Sequence, residues 1–386
     1  MKNWFVRSTG SGKYSSCEVV EKNVIPRLTR NLLKKNVNYQ DIAGQARNDK
    51  KKGIICLGIV IIVLLFFFTN LFYGTVSIPA SAVIDSLLGK EIEKSVWANI
   101  VLQSRLPQTL TALLAGSALA VCGLILQTLF RNPLAGPSIL GISDGANLGV
   151  ALVMLYSGGI LTGGGERSHH LSVIIAAFLG ASMVLILMLY FSSKVKSNIL
   201  VLILGIMISY LASSGISVLN SYASADNVRS YVLWGMGNFS GVPMNQIPFF
   251  SLSILIGLLF AVLLIKPLNA LLLGENYATN LGIHVGRTRT AILLTTGFLT
   301  ALVTAFCGPV TFIGLVVPHI ARMFIRTSNQ KWLLPVTILT GCAVALLCNL
   351  LTTIPFGKGV LPLNAVTPLI GAPMVIYVIL KSGKNF

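Results

Sequence analysis

The stretch "RNPLAGPSILGISDGANLG" (Arg131–Gly149) decides how this chain reads. It opens on an Arg-Asn-Pro corner and then places glycines at 136, 141, 145 and 149. Pro133 ends a helix, because proline has no N–H to donate and disfavours the helical conformation in the residue before it. Gly141, Gly145 and Gly149 stand four apart. On a helix that spacing makes one smooth face where a neighbour's backbone approaches closely. Gly116, flanked by Ala112 and Ala120, repeats the device upstream. Small-residue faces of this kind are how helices pack inside a membrane.

Composition agrees. The 386 residues are 54% hydrophobic and only 10% charged, against about 25% charged in a soluble domain. A chain this apolar cannot cover itself with polar surface. Ten apolar runs approach the roughly 20 residues a helix needs to cross a bilayer: 54–73, 106–129, 138–156, 171–191, 198–219, 247–265, 290–306, 311–325, 333–351 and 366–380. The weakest boundary separates the seventh from the eighth, at Gly308-Pro309. Ser224–Ser240 is too polar to cross and is expected as a short helix at the surface. With both termini in the cytoplasm, 23 of the 29 Lys/Arg residues fall inside and 6 outside, as the positive-inside rule demands. The formal charge of +18 is thus assigned to one face of a membrane rather than to nucleic acid. The fold expected is all-α and integral to the membrane, with residues 54–386 as the ten-helix domain.

Residues 1–53 are polar and basic, and are expected to be a disordered cytoplasmic arm or an over-called start. "STGSGKYSS" there is not a phosphate loop: Arg7 stands where glycine is required and Tyr14 follows Lys13 where Ser or Thr is needed. The six cysteines form no metal-binding or disulfide pattern. His169 and His170 read as a solvated loop pair, and His319, beside Pro318, as a structural hydrogen bond at a helix break. Asp144 is the one acid within an apolar run. The fifth run carries "SYLASSGISVLNSYAS" (Ser209–Ser224). Ser209, Ser213, Ser217 and Ser221 share a helix face, with Asn220 beside them, and such a stripe lines either a wet passage or a helix seam.

Arg105–Gly149 as a whole, "YVLWGMGNF" (Tyr231–Phe239), "LNALLLGENYATNLGI" (Leu268–Ile283), "GPVTFIGLVVPHIARMFI" (Gly308–Ile325) and "IGAPMVIYVIL" (Ile370–Leu380) closely resemble the FecCD-type permeases. These are membrane subunits of ABC importers for iron-siderophores, haem and vitamin B12. The resemblance covers about residues 54–383. It implies the type II importer architecture in a bacterial cytoplasmic (inner) membrane. It also implies a homodimer with the pathway on its axis, two cytoplasmic ATPase subunits and an extracytoplasmic substrate-binding protein. ATP and Mg would bind the ATPases, leaving this chain without cofactor, metal or catalytic residues.

By the same resemblance, Leu271, Gly274, Glu275, Ala278, Leu281 and Gly282 form the segment that seats in the ATPase. The serine stripe borders the pathway, and Ser192, Ser193, Ser197 and Asn198 fall at the inner gate. Docking of the binding protein falls to Arg105, Gln108, Thr353 and Lys358. Here the sequence departs from the family: Gln108 replaces a usual arginine, Asn349 a usual aspartate, and Thr353 a usual loop arginine. Asn349 and Thr353 are four apart, so an ion pair between them is expected to be lost as a unit. The cargo implied is an iron complex, a ferric siderophore, with vitamin B12 or haem as alternatives. An ion-coupled secondary transporter, which would need Asp144 as its ion site, is the rival from another class.

Overall fold

The computed structural model describes residues 39–90, 94–156, 166–195, 197–354 and 361–383. Among these the chain is helical throughout, with no strand. It divides into two units, Met1–Ile54 and Ile55–Phe386. Much of the basic arm lies outside the described residues. Its last part is helical, because α1 (Tyr39–Phe72) begins before the first apolar run. Once a helix is nucleated, each further residue adds a hydrogen bond at little entropic cost.

Seven helices are long and apolar enough to cross a membrane. They include α1; the continuous rod of α2 (Ser95–Asn99), a π-turn and α3 (Leu106–Phe130); and α5 (Glu166–Lys194) and α6 (Asn198–Tyr222). The others are α8 (Ile247–Leu263), α11 (Val285–Cys307) and α13 (Gln330–Thr352). Three shorter apolar helices are α4 (Ile142–Ala151, prolonged by a π-turn to Tyr156), α12 (Ile313–Ile325) and α14 (Leu363–Gly383). The short helices between them include Ala80–Leu87, α7 (Ala225–Gly235), α9 (Ile265–Leu273) and α10 (Glu275–Asn280).

Helix α3 is the hub. Nearly every residue from Pro107 to Leu129 is buried, which the absence of any charge in that run permits. Neighbours come close because small residues face small residues. A β-carbon placed on Gly123 would overlap the carbonyl oxygen of Gly314 in α12, and one on Gly116 would overlap that of Gly341 in α13.

The glycine ladder of the opening stretch needs one correction. Gly141 has φ +73 and precedes α4 rather than joining its face. Left-handed backbone is open to glycine at no steric cost, so Gly141 ends the 3-10 turn Pro137–Leu140 and turns the chain into α4. Gly145 and Gly149 do share a face, and it packs on α5. A β-carbon on Gly145 would come 2.6 Å from the Gly180 carbonyl oxygen.

The weak boundary is a true break. Gly308 (φ +72) and Phe312 (φ +68) separate α11 from α12. There His319 places Nε2 2.8 Å from the Pro133 carbonyl oxygen, tying α12 to the Arg-Asn-Pro corner.

Helix α7 was expected to lie at the surface. It has no fully buried residue, yet its end is docked on the α11–α12 break. The Asn238 amide donates to the Cys307 carbonyl at 2.9 Å. Asn364 Nδ2 donates to the carbonyls of Gly235 at 3.2 Å and Pro309 at 2.6 Å. Tyr231 stacks on Trp234. Burial, with a further contribution from the Asp144 charge, pushes the Tyr231 phenol up to about 12.

Candidate functional site: coupling segment, gate turn and outer rim

The coupling candidates form two short helices, α9 and α10, hinged at Gly274. Its φ of +125 is a conformation that side chains resist. Gly282 (φ +81) ends the unit. The structure corrects which apolar residues are on offer. Leu271 and Ala278 are buried against their own chain, whereas Leu273, Tyr277 and Leu281 are exposed. The sequence shows two apolar clusters, but only packing decides which member of each turns inward.

Arg131 explains the rest of the opening corner. It is held in the left-handed conformation (φ 49), and its Nη2 donates to the Leu271 carbonyl at 3.0 Å. The corner that ends α3 therefore clasps the last turn of α9. Gly274 leaves the space: a β-carbon there would stand 3.2 Å from Arg131 Nη2.

Glu275 was expected to contact the ATPase. One of its oxygens is already engaged within the chain. Oε1 accepts from Asn198 Nδ2 at 2.6 Å and lies 3.9 Å from Arg289 Nη2. Asn198 also donates to the Leu129 carbonyl at 3.1 Å, and Arg289 Nη1 to the Val195 carbonyl at 2.9 Å. The four gate candidates fall at the end of α5 and the start of α6. Ser192 and Ser193 close α5, Ser197 precedes α6, and Asn198 opens it. The candidate coupling helix α10 and the candidate gate turn between α5 and α6 are thus joined through Glu275, Asn198 and Arg289. Arg289 was not singled out in the sequence, because its distance from residue 195 hides the contact.

On α6, Ser213, Ser217 and Ser221 are exposed, and Ser209 and Asn220 are half-buried. The hydroxyls of Ser209, Ser217 and Ser221 donate to carbonyls of their own helix, those of Gly205, Ser213 and Val218. Asn220 Oδ1 is buried without a hydrogen-bond partner among the described residues.

At the outer rim Arg105 is not a free surface charge. It is buried, with Nη1 donating to the Leu71 and Phe72 carbonyls at 2.9 and 3.0 Å and Nη2 to that of Val76. Gly74 lies against the guanidinium, where a β-carbon would come 2.9 Å from Nε. The cation caps the orphan carbonyls at the end of α1. Arg105→Gln is expected to cost about 2–4 kcal/mol, since hydrogen bonds to a charged group contribute about 1.5–3 kcal/mol each and stranded acceptors add to the loss. Thermal melting of the purified protein checks this, with exposed Lys90→Gln expected to change stability by less than about 0.5 kcal/mol.

The partner of Asn349 is likewise not Thr353, whose hydroxyl donates to the Leu350 carbonyl. Asn349 Oδ1 accepts from Gln108 at 2.9 Å, and its Nδ2 donates to Asn70 Oδ1 at 2.8 Å. A neutral chain of amides thus joins α3, α13 and α1. Two of the three departures from the family pattern sit in one contact, invisible in sequence because 241 positions separate them. Asn349→Asp alone is expected to destabilise by about 2 kcal/mol, as a carboxylate has no proton to donate to Asn70. Adding Gln108→Arg is expected to recover at least half of that, and a double-mutant cycle measures the coupling. Lys358 and the His169 side chain lie outside the described residues. Among the described residues no cluster of His, Cys, Asp or Glu could hold a metal ion.

The chain is similar to known proteins over most of its length. Residues 61–381 match the FecCD transport family. The vitamin B12 import system permease protein BtuC of Klebsiella pneumoniae is 33% identical over 280 residues, 72% of this chain and 82% of that protein. Its counterpart in Escherichia coli strain K12 is 33% identical over 292 residues, 76% of this chain and 85% of that protein. A solved inward-facing structure of a proposed metal-chelate type ABC transporter superposes with a TM-score of 0.72 and 29% identity, covering 85% of this chain and 99% of that one. With most of its length inside one family, and with helices that can cross a membrane, the chain belongs to the FecCD transport family as an inner-membrane permease of the ABC-importer type.

Proposed function

We propose that two copies of this chain form an import pathway for a metal chelate. In this reading the chain crosses the membrane ten times, with both termini in the cytoplasm, as the Lys/Arg distribution favours. Two ATPase subunits receive α9–α10, a binding protein docks at the outer rim, and ATP and Mg are held by the ATPases. The observation that carries the reading is the link from α10 through Glu275 and Asn198 to the gate turn. A partner that moves α10 pulls directly on the start of α6. The second copy is favoured by α6 itself, whose apolar residues Tyr210, Leu211 and Tyr222 are 66%, 74% and 88% exposed in the single chain. Its exposed serines, Ser213, Ser217 and Ser221, would face the wet axis between copies.

The cargo we assign first is a ferric siderophore. Vitamin B12 is the second reading, favoured by the names of the relatives at 33% identity, and haem the third. An uncharged hydroxyl-lined passage suits any large chelate that must not be trapped. The test is ATP-driven uptake in proteoliposomes holding this chain, its ATPase and its binding protein, with the three ligands offered in parallel. Uptake of one ligand that vanishes with a hydrolysis-dead ATPase supports the reading and names the cargo. Uptake that persists without ATPase overturns it in favour of an ion-coupled carrier working through Asp144.

A further inference from the structure

At one end of α11 a cavity of about 790 Å³ opens between α5, α10 and α11. Ser192 and Ser193 wall it from α5, Glu275 from α10, and Arg287, Arg289 and Thr290 from α11. The Arg289 side chain is only 8% exposed, whereas Arg287 and Thr290 are exposed. Moving into the membrane along α11, the open face runs Arg287, Thr290, Leu294: a cation, a hydroxyl, then an apolar side chain. Further along the same helix, Phe298 and Leu302 help line a second cavity of about 300 Å³, shared with Phe178 of α5 and Phe249 of α8 and almost wholly apolar. The open face of α11 at the first cavity therefore has the polarity of a phospholipid, with its charged end at the helix terminus.

Charge favours an anion. Among the described residues that line the cavity, Glu275 is the one acid beside Arg287 and Arg289, and its Oε1 is already bound by Asn198. The hydroxyls of Ser193 and Thr290 donate to the Tyr190 and Gly286 carbonyls, which leaves recognition to the arginines. Guanidinium is the side chain best matched to phosphate.

We propose that this cavity seats the phosphate headgroup of an anionic phospholipid, with Arg287 as its exposed contact, Arg289 as its buried anchor and the acyl chain along Leu294. The site also touches the link described above. A phosphate drawn to Arg289 competes with Glu275 for the same guanidinium, so the lipid tunes how firmly α10 holds the gate turn. Headgroup binding requires only that the helices span a bilayer, whereas its effect on the gate turn rests on the coupling proposed above; neither depends on the choice of cargo.

Native mass spectrometry of the full-length protein, delipidated and titrated with phosphatidylglycerol or phosphatidylcholine, tests it. Phosphatidylglycerol is expected to bind at least about fivefold tighter, the value of roughly one arginine near a headgroup. Arg287→Gln should remove about fivefold of that preference, and Arg287→Lys should restore part of it. Because Arg287 is exposed, the variant tests binding rather than folding. Equal binding of the two lipids, or an Arg287→Gln protein that keeps the preference, overturns the proposal. Displacement of the lipid by millimolar inorganic phosphate overturns the lipid as occupant and leaves a free-anion site. Cross-linking of Arg287 to an ATPase partner, with no headgroup preference, overturns it in favour of a protein contact.

Discussion

Gly123→Val is expected to abolish the folded protein or to lower its stability by about 3 kcal/mol or more, the upper end for overpacking. The cause is backbone meeting backbone. The missing side chain of Gly123 would overlap the Gly314 carbonyl, and no rotamer change can move a carbonyl inside a helix. Helices α3 and α12 would have to part, and with them the Pro137 ring that lies against Gly314. Because α3 is the hub, the loss would spread to α11 and α13. Heating the detergent-solubilised protein and following its size-exclusion peak measures the effect. Gly58→Ala in α1, where a β-carbon meets nothing within 4 Å, serves as control. It should be neutral or stabilising by about 0.5–1 kcal/mol, because alanine favours the helix over glycine. A Gly123→Val protein that melts like the unchanged one would show that α3 and α12 do not touch at this point.

Glu275→Ala is expected to uncouple transport. It removes the charge-assisted bond to Asn198, which contributes about 1.5–3 kcal/mol, or about one to two orders of magnitude in an equilibrium. In the reconstituted importer, ATP hydrolysis should stay within about twofold of the unchanged protein while uptake falls about tenfold or more. Asn198→Ala should do the same, and the double variant should be little worse than either single one, since both break one contact. Leu281→Ser should behave differently. Its side chain is 58% exposed on the face left for a partner, so ATPase binding itself should weaken. If Glu275→Ala lowers hydrolysis and uptake together, the carboxylate serves the ATPase contact and the internal link is incidental.

The positions of the apolar helices were legible in the sequence, because span length, hydropathy and the Pro/Gly breaks are local properties. Each of the ten runs overlaps a helix, and the break at Gly308-Pro309 is real. Family membership was legible too, since it rests on whole motifs. The direction a residue faces was not. Gly141 reads as part of a packing face, but its φ of +73 takes it out of the helix. Arg105 reads as a docking charge and is instead a cap on α1, while Leu271 and Ala278 read as contact residues and are buried. Gln108 and Asn349 were each visible as departures, but only the packing of α3 on α13 makes them one hydrogen bond. A periodic pattern reports on one helix at a time. Partners in a bundle are chosen laterally, between residues that lie tens to hundreds of positions apart, and the energy that selects them exists only once the helices are packed.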